Sequence, residues 1–491
     1  MLNLRRAQLE ALTGGVLDTL IIGGGINGAG TLRDLALRAQ TAGVPLRLGL
    51  IEQKHFASGT SGRNSQLIHG GLRYLKYLEF SLVRESLRER CTLLHIAPHL
   101  VHPLPFLMPM YGWKSRILYG TGLTIYDLLS GAHGIRKHRI LDRSEVAVLE
   151  PALNPRGLTA SAIFYDCLVH SARLVLANIL DSLDRGATAV NYLKAEHMAR
   201  TGGLWNIAVR DTTTGETFEV QARKIIDATG PWGGKVSGEV SEGSPLRLVR
   251  GSHIIIPRVN ASDNAVAYFE PSGRVVFLIP WGSQKQGSEK QGSQKRLTLV
   301  GTTDVDHSLG PDHVHITPDE VEYLLRIVSE VFPGTANRDV ISSYSSLRPL
   351  VQNGAESATS ASRGHRIWNS ADGVLHIAGG KYTTYRAMSE EAAELACQEI
   401  APALCGRSVT ADAVIPDFPK SREWEMEQHL ADHLYISTYL GYEKRWDAQS
   451  LRLEAQAMAS RMGWDERKID EEVEDVMREL SAPVSLSHSV T

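Results

Sequence analysis

The stretch VLDTLIIGGGINGAGTLRDLALRA, residues 16–39, predicts a short buried strand, a glycine-rich turn and a helix. Its spaced glycines follow the pattern GxGxxG. In such a turn the first glycine permits the tight bend, the second lets a pyrophosphate approach the backbone, and the third lets the helix pack against the strand. The free N–H groups at the start of the helix then face the anion. We therefore predict a nucleotide-binding turn, rather than a glycine-rich turn without a ligand, at Gly23, Gly25, Ile26, Asn27 and Gly28.

A second strand, LRLGLIE, ends in Glu52, where an acidic side chain would accept hydrogen bonds from ribose hydroxyls. An acidic residue at this place disfavours a ribose 2′-phosphate, so FAD or NAD is favoured over NADP. The chain then enters a loop of small polar residues, FASGTSGRNS, instead of the further βα units of a simple NAD dehydrogenase. This loop offers donors to an extended anionic ligand, and its predicted cofactor-binding residues are Thr60 and Ser61.

The composition of the 491-residue chain is that of an ordinary globular protein of two or three domains. The net charge of -3 gives no support for nucleic-acid binding. The four cysteines have no metal-ligand spacing, so we predict free thiols and no metal site. The sequence shows no signal peptide and no run of about 18 apolar residues, so we expect a cytoplasmic protein.

Motifs along most of the chain resemble one family of flavoenzymes. The longest is GTSGRNSQLIHGGLRYLKYLEFSLVRESLRERCTLLHIAPHLVHPLPFLMP, and others follow in FYDCLVHSARLVLANI, DATGPWGG, VRGSHIIIPR, VVFLIPW, LVGTTDVDHSLGP, SSYSSLRPLV and IAGGKYTTYRAMSEEAAE. In order and spacing these motifs, which cover roughly residues 16–400, resemble the FAD-dependent glycerol-3-phosphate dehydrogenases. That family is part of the superfamily built like D-amino-acid oxidase. The resemblance implies FAD as the cofactor.

A second glycine-rich turn, HIAGGKYTTYR, is explained by the same resemblance. It implies that this turn closes over the isoalloxazine ring and that the following helix points its N-terminus at the flavin. A helix N-terminus and Lys381 would both stabilise the negative charge of a reduced flavin. The cofactor-binding residues predicted on this side are Gly230, Gly379, Gly380, Lys381, Thr383 and Thr384. The two threonines would either hydrogen-bond the ring or cap the helix.

The predicted fold is α/β plus antiparallel β. A Rossmann-type FAD-binding domain is expected from residues 1–80, 160–245 and 370–402, and an antiparallel-sheet substrate domain from residues 81–159 and 246–369. The polar repeat at 282–296 is predicted to be a flexible hairpin tip, with a basic docking loop as the alternative. Residues 403–491 are predicted to form a short C-terminal helical cap, whose first part matches the family poorly.

The resemblance also implies the reaction, in which sn-glycerol 3-phosphate is oxidised at C2 to dihydroxyacetone phosphate and the hydride passes to flavin N5. Arg73 and Arg348 match the family's substrate-clamping arginines, with Tyr74 as a hydrogen-bonding neighbour. Arginine suits a phosphate because of its planar fork, although either arginine could instead only fix a loop. For the base we favour His253 and keep His69 as the alternative. Lys381 would tune the flavin or contact the substrate.

Several alternatives remain open from the sequence. The loop SGRNSQ at 61–66 and the segment YSSLRPL at 344–350 depart from the family's usual motifs, so another small hydroxy compound could be the substrate. A same-fold oxidase and a non-catalytic flavin-binding protein are the rival functions. The resemblance implies a quinone acceptor, and Tyr111–Leu129 could contact the inner face of the cell membrane or form an ordinary buried helix. We also expect a homo-oligomer.

Overall fold

The computed structural model describes residues 2–233, 246–282, 297–335, 339–351, 364–418 and 425–481. Its helices are α1 (Leu2–Thr13), α2 (Ile26–Ala42), α3 (Phe80–Ile96), α4 (Trp113–Ser130), α5 (Arg143–Leu149), α6 (Ser171–Asp184), α7 (Pro318–Val331), α8 (Tyr385–Ile400), α9 (Leu430–Asp432), α10 (Leu440–Glu443), α11 (Ala448–Met462) and α12 (Glu466–Ser481). Its strands are β1 (Leu17–Ile22), β2 (Leu48–Ile51), β3 (Leu67–Ile68), β4 (Val101–Tyr111), β5 (Arg139–Asp142), β6 (Leu158–Val169), β7 (Thr188–Val190), β8 (Leu193–Thr201), β9 (Leu204–Asp211), β10 (Thr217–Asp227), β11 (Leu246–Pro257), β12 (Ala265–Phe269), β13 (Val275–Trp281), β14 (Leu297–Gly301), β15 (Val305–Asp306), β16 (Ser342–Val351), β17 (His365–Asn369) and β18 (Leu375–Gly379).

The first sheet is the predicted Rossmann-type sheet. Its path is β17-β18-β10-β1-β2-β7, with β9 and β8 added beside β10. β1 runs parallel to both β10 and β2, and β10 runs parallel to β18. Because β1 and β2 are apolar and almost fully buried, they suit the middle of a sheet that helices cover. The turn after β1 therefore opens at the carboxyl edge of this sheet, which is where ligands of such folds bind.

The second sheet is mainly antiparallel, as the sequence predicts. Its path is β15-β11-β14-β13-β12-β4-β6-β3, and β16 and β5 pair at its sides with β11 and β6. The pairings β11–β14, β14–β13 and β13–β12 are antiparallel, whereas β12 runs parallel to β4. Helix α7 packs behind β11 and β14. This sheet forms the second wall of the site described below.

Three strands lie in a different sheet from the one that the predicted domain ranges imply. β3 and β6 lie in the second sheet although residues 1–80 and 160–245 were assigned to the FAD-binding domain. β17 lies in the first sheet although residues 246–369 were assigned to the substrate domain. The reason is pairing: β6 pairs with β4 along its whole length, and all of β17 pairs with β18. The other boundaries stay predictions, and residues 283–296 of the predicted hairpin tip lie outside the described residues.

The exposure of helix α4 contradicts one of the two alternatives for Tyr111–Leu129, the ordinary buried helix. Only Leu123, Tyr126 and Ser130 of this helix are buried, so it is not an ordinary buried helix. The large apolar side chains of α4 that are exposed to solvent are those of Trp113, Ile117, Leu118 and Leu128. Among the described residues, none of the helices has the length and apolar character needed to cross a membrane.

The C-terminal region is helical, as predicted. Helices α11 and α12 pack against each other, and α12 also contacts α9. A π-helical turn, His433–Ser437, connects α9 towards α10. The hydroxyl of Tyr439 accepts a hydrogen bond from the N–H of Ala172 (3.1 Å), which anchors this region to the start of α6. We call residues 425–481 the C-terminal cap.

Candidate active site

A single cavity of about 1760 Å³ collects nearly all of the predicted site residues. This volume exceeds the roughly 300–1,000 Å³ usual for drug-sized ligands, so the cavity can hold a dinucleotide together with a small substrate. The predicted residues on its wall are Gly23, Gly25, Ile26, Asn27, Glu52, Thr60, Ser61, His69, Arg73, Tyr74, Gly230, His253, Arg348, Gly379, Gly380 and Lys381. The cavity receives residues from both sheets, so the two predicted domains share one site.

The first glycine turn has no room for side chains. Gly23 has a φ of 115°, and a Cβ there would lie 2.5 Å from the carbonyl oxygen of Ala228. A Cβ on Gly28 would lie 1.9 Å from the carbonyl oxygen of Gly23. Gly28 does not line the cavity, so it acts as the sequence predicts for a third glycine, by letting α2 pack closely.

The start of α2 lies on the cavity wall, where we predict that the pyrophosphate binds. Gly25 is the N-cap and has no side chain, and the N–H of Ile26 donates to Ser61 Oγ (2.9 Å). Ser61 thus lies beside the N–H groups that would meet a pyrophosphate. The Thr60 hydroxyl donates to the carbonyl oxygen of Leu347 (2.5 Å). The predicted cofactor-binding loop is therefore tied to β16 on the opposite wall.

Glu52 lies directly after β2, beside the first turn. Its Oε2 accepts from the N–H of Gly24 (2.7 Å) and its Oε1 from the N–H of Lys54 (2.9 Å). Burial raises the pKa of Glu52, while these two backbone donors oppose that rise. Each oxygen keeps a lone pair that can accept from a ribose hydroxyl.

The second glycine turn opens into the same cavity. Gly379 and Gly380 have φ values of 75° and 79°, in the left-handed region that favours glycine. A Cβ on Gly380 would lie 2.3 Å from Met388 Sδ. Lys381 donates to Ser86 Oγ (2.9 Å), and its Nζ lies 4.1 Å from the centre of the Tyr74 ring.

The side chains of Thr383 and Thr384 are hydrogen-bonded within the protein, and their contact with the flavin ring stays a prediction. Neither side chain lines the cavity. The N–H of His69 donates to Thr383 Oγ1 (3.1 Å), and the Thr384 hydroxyl donates to the carbonyl oxygen of Lys381 (3.4 Å). Thr384 is the N-cap of α8 but makes no side-chain capping bond. Both hydroxyls bond the backbone instead, because the short 3₁₀ turn Tyr382–Thr384 points them into the protein.

Two arginines on the wall share one buried carboxylate. Arg348 Nη1 lies 2.9 Å from Asp304 Oδ1, and Arg73 Nη1 lies 3.7 Å from Asp304 Oδ2. Arg348 also donates to Thr302 Oγ1 (2.7 Å) and to the carbonyl oxygen of Thr303 (3.1 Å). Asp304 is 6% exposed, so the pair is held together away from bulk water.

His253 is buried at the same wall. Its Nε2 lies 2.9 Å from Ser65 Oγ, and its ring stacks on the Tyr344 ring at 4.9 Å. Burial, and then the positive charge of Arg348, lower the pKa of His253 to about 3, so the imidazole is neutral near neutral pH. His69 is half-buried on the same cavity wall.

Residues 18–395 match the family described as FAD dependent oxidoreductase. The chain belongs to the FAD-dependent oxidoreductases. It is 37% identical over 398 residues to a glycerol-3-phosphate dehydrogenase of Synechocystis sp., a match that covers 76% of this chain and 68% of that protein. It is 35% identical over 385 residues to a D-erythritol 1-phosphate dehydrogenase of Brucella abortus, covering 76% and 72% of the two chains. The predicted resemblance to glycerol-3-phosphate dehydrogenases is thereby confirmed.

A solved structure supports the fold of this FAD-dependent oxidoreductase. The glycerol-3-phosphate dehydrogenase of Bacillus halodurans, solved as a complex with FAD, superposes with a TM-score of 0.76. The match covers 99% of both chains, at 22% sequence identity. The predicted combination of an FAD-binding fold with mixed sheets and a helical C-terminal region is confirmed.

The residues of the cavity fit FAD. Both glycine turns line the cavity, and only glycine fits at Gly23 and Gly380, because a Cβ there would meet neighbouring protein atoms within 2.5 Å. By position, the start of α2 would hold the pyrophosphate, Glu52 the ribose and the turn 379–381 the ring. FAD is the cofactor of the family to which the chain belongs. The assignment of single residues to parts of FAD stays a prediction.

Sequence reasoning missed three partners of the predicted residues. They are Asp304, which pairs with Arg348, Ser65, which bonds His253, and Ser86, which accepts from Lys381. Asp304 lies in the motif LVGTTDVDHSLGP, where an acidic residue between threonines and glycine was available as a signal. Ser86 lies inside α3, where nothing in the sequence distinguishes it from a surface serine.

Proposed function

We propose that this chain oxidises a small phosphorylated polyol, with sn-glycerol 3-phosphate as the first candidate, at its C2 hydroxyl. The observation that carries the proposal is the pair Arg73 and Arg348, joined through Asp304 on the wall of the FAD cavity. FAD, when bound, supplies the acceptor for the hydride that leaves C2. The chain's own residues bind the phosphate, orient the polyol and take up the hydroxyl proton.

The charges at this wall suit a phosphate dianion. Arg73, Arg348 and Lys381 contribute three positive charges against the one negative charge of Asp304. Arg73 Cζ lies 5.2 Å and Lys381 Nζ 4.1 Å from the centre of the Tyr74 ring, so these cations are close neighbours. The surplus of about two charges matches the roughly -1.5 to -2 of a phosphate monoester near neutral pH. Fixed arginine donors would then hold the phosphate in one orientation, which orients the rest of the substrate.

His253 is our first candidate for the base. Its neutral imidazole can accept a proton, and the residue lies on the cavity wall with Nε2 2.9 Å from Ser65 Oγ. Part of the lowering of its pKa comes from the charge of Arg348. A phosphate bound at Arg348 would offset that charge, so substrate binding would raise the pKa of His253 and make it a better base. His69 remains the alternative, because it lines the same cavity and is less buried.

A longer phosphorylated polyol is the second candidate substrate. The relative from Brucella abortus, at 35% identity, is named for D-erythritol 1-phosphate. The two candidates share a terminal phosphate and differ in the length of the polyol, so the same arginines would serve both.

A comparison of kcat/KM for sn-glycerol 3-phosphate, D-erythritol 1-phosphate and glycerol tests the substrate. We expect the larger kcat/KM for sn-glycerol 3-phosphate and no measurable turnover of glycerol, because glycerol offers nothing to the arginines. A larger kcat/KM for D-erythritol 1-phosphate would favour the second candidate. Equal kcat/KM for glycerol and its phosphate would contradict a phosphate clamp.

We further propose that the electrons pass to a quinone and that α4 contacts the membrane surface on the cytoplasmic side. The exposed residues Trp113, Ile117 and Leu118 lie beside Lys114 and Arg116, a mixture that suits an interface with anionic lipids. Self-association stays a prediction, and light scattering of the purified protein tests it.

A further inference from the structure

The outer wall of the FAD cavity is formed by the C-terminal cap. His429, Asp432, Tyr435 and Ile436 line the cavity from α9 and the π-helical turn, and Glu479 lines it from α12. The cap faces the residues around Glu52 and the loop 58–65, which are predicted to hold the ribose and the pyrophosphate. The cap therefore lies at the end of the cavity that would hold the adenosine diphosphate half of FAD.

One contact fastens the cap beside Glu52. The hydroxyl of Tyr192 donates to Asp432 Oδ1 (2.6 Å), while the N–H of His429 donates to Asp432 Oδ2 (3.0 Å). The backbone around Tyr192 is itself bound to the end of β2, because the N–H of Leu193 donates to the carbonyl oxygen of Glu52 (2.7 Å). Tyr192 thus joins the predicted ribose-binding end to the cap.

A second contact fastens the cap to the pyrophosphate loop. Arg63 Nη2 lies 2.6 Å from Glu479 Oε1. Arg63 lies two residues after Ser61, the residue that bonds the N–H of Ile26 at the start of α2. One contact therefore holds the cap beside the predicted ribose site, and the other holds it beside the predicted pyrophosphate loop.

We propose that the C-terminal cap retains FAD by covering its adenosine diphosphate half. Asp432 and Glu479 are carboxylates that already accept hydrogen bonds from the protein, so they do not clamp the phosphates, and the cap stabilises bound FAD by covering it. Tyr435 lines this wall, and its buried hydroxyl has no hydrogen-bond partner among the described residues. The proposal concerns the cofactor and does not depend on which substrate the protein oxidises.

The test measures FAD release from the holoprotein carrying Tyr192→Phe and Glu479→Gln together. We expect release about three- to tenfold faster, since each change removes one hydrogen bond or one partly exposed ion pair. The matched control carries Tyr268→Phe and Glu474→Gln. Tyr268 bonds Glu330 away from this cavity, and Glu474 is an exposed residue of α12, so FAD release should equal that of the parent protein.

Competition by ADP then identifies the half of FAD that is affected. The proposal predicts that the affinity of the apoprotein for ADP falls by about the same factor as its affinity for FAD. Unchanged FAD release in the double variant would overturn the proposal. Faster FAD release with unchanged ADP affinity would also overturn it, because the contacts would then act on the flavin half.

Discussion

Arg348 owes its place on the cavity wall to the glycine at position 251. A Cβ on Gly251 would lie 2.3 Å from Arg348 Nη2, so no other residue there leaves room for the guanidinium. The guanidinium is then fixed by Asp304 and by Thr302 before any substrate arrives. A pre-ordered arginine loses little rotamer freedom when it binds a phosphate, which favours both affinity and orientation.

Replacing Arg348 by alanine should therefore lower kcat/KM for sn-glycerol 3-phosphate about ten- to a hundredfold. A lost charge-assisted contact costs about 1.5–3 kcal/mol, and steady-state kinetics measure the change. The control is Arg326→Ala, since Arg326 is an exposed arginine paired with Glu330 on α7. An Arg348→Ala enzyme with parental kcat/KM would remove Arg348 from the substrate site.

His253 should make the stability of the protein depend on pH. The pKa of His253 is about 3 in the folded protein and has an ordinary value of 6.5 in the unfolded chain. Its contribution is fully present above pH 6.5 and is lost as the pH falls from 6.5 towards 3, because only the unfolded chain takes up the proton. Between pH 6.5 and 5.5 the parent protein should lose about 1 kcal/mol more unfolding free energy than a His253→Gln variant, because the unfolded imidazole is half protonated at pH 6.5 and almost fully protonated at pH 5.5. Equal losses in urea titrations of the two proteins would mean that His253 is protonated in the folded state.

The residue types of the site could be predicted better than their partners. Arg73, Arg348, His253 and Lys381 all reach one cavity, as the resemblance implied. The motif around Asp304 offered a signal for an acidic residue, but its pairing with both arginines could not be predicted, because the approach of Asp304 to Arg73 depends on how distant segments pack. For Thr383 and Thr384, the direction of the backbone in a short 3₁₀ turn, which no sequence pattern showed, gives both hydroxyls backbone partners.

At the scale of single elements, α2 packs closely against the turn that follows β1, and we expect the FAD site to depend on this contact. A Gly28→Ala substitution would place a Cβ 1.9 Å from the carbonyl oxygen of Gly23, so α2 must move away from the turn. We expect the variant to be purified without bound flavin, as measured by its visible spectrum. Gly120→Ala in the exposed helix α4 is the control, since no atom lies within 4 Å of that Cβ and alanine favours a helix. A Gly28→Ala protein with parental flavin content would contradict the close packing.

Helix α4 should carry the membrane contact. We expect the double substitution Ile117→Glu and Leu118→Glu to abolish sedimentation of the protein with vesicles of anionic phospholipid, because two charges would enter the apolar face. Val148→Glu is the control, since Val148 is 84% exposed on α5, outside the face formed by α4. Sedimentation of the α4 variant equal to that of the parent would place the contact elsewhere.

The types of the main elements could be read from local patterns. The strand, turn and helix at residues 16–39 are confirmed, because they depend on neighbouring residues. The exposure of α4 could not be predicted, because a mixed apolar and basic helix suits either a buried place or a membrane surface. Only the packing of the surrounding elements distinguishes the two.

At the scale of the whole molecule, the chain crosses between two sheets several times around one cavity. A single cavity explains the two glycine turns, because one opens at the pyrophosphate end and the other at the predicted flavin end. The sheet memberships of β3, β6 and β17 could not be predicted, since each follows from a pairing partner in a different segment. The contact of the C-terminal cap with this cavity could not be predicted either, because the first part of residues 403–491 departs from the family's motifs.

The central claim is that one cavity brings FAD and a phosphorylated polyol together. The most direct measurement is the visible spectrum of the purified holoprotein, kept anaerobic, before and after addition of sn-glycerol 3-phosphate. We predict a flavin absorption band that bleaches on addition of the phosphate ester and is unchanged by glycerol. A flavin band that persists with both sn-glycerol 3-phosphate and D-erythritol 1-phosphate would contradict the claim.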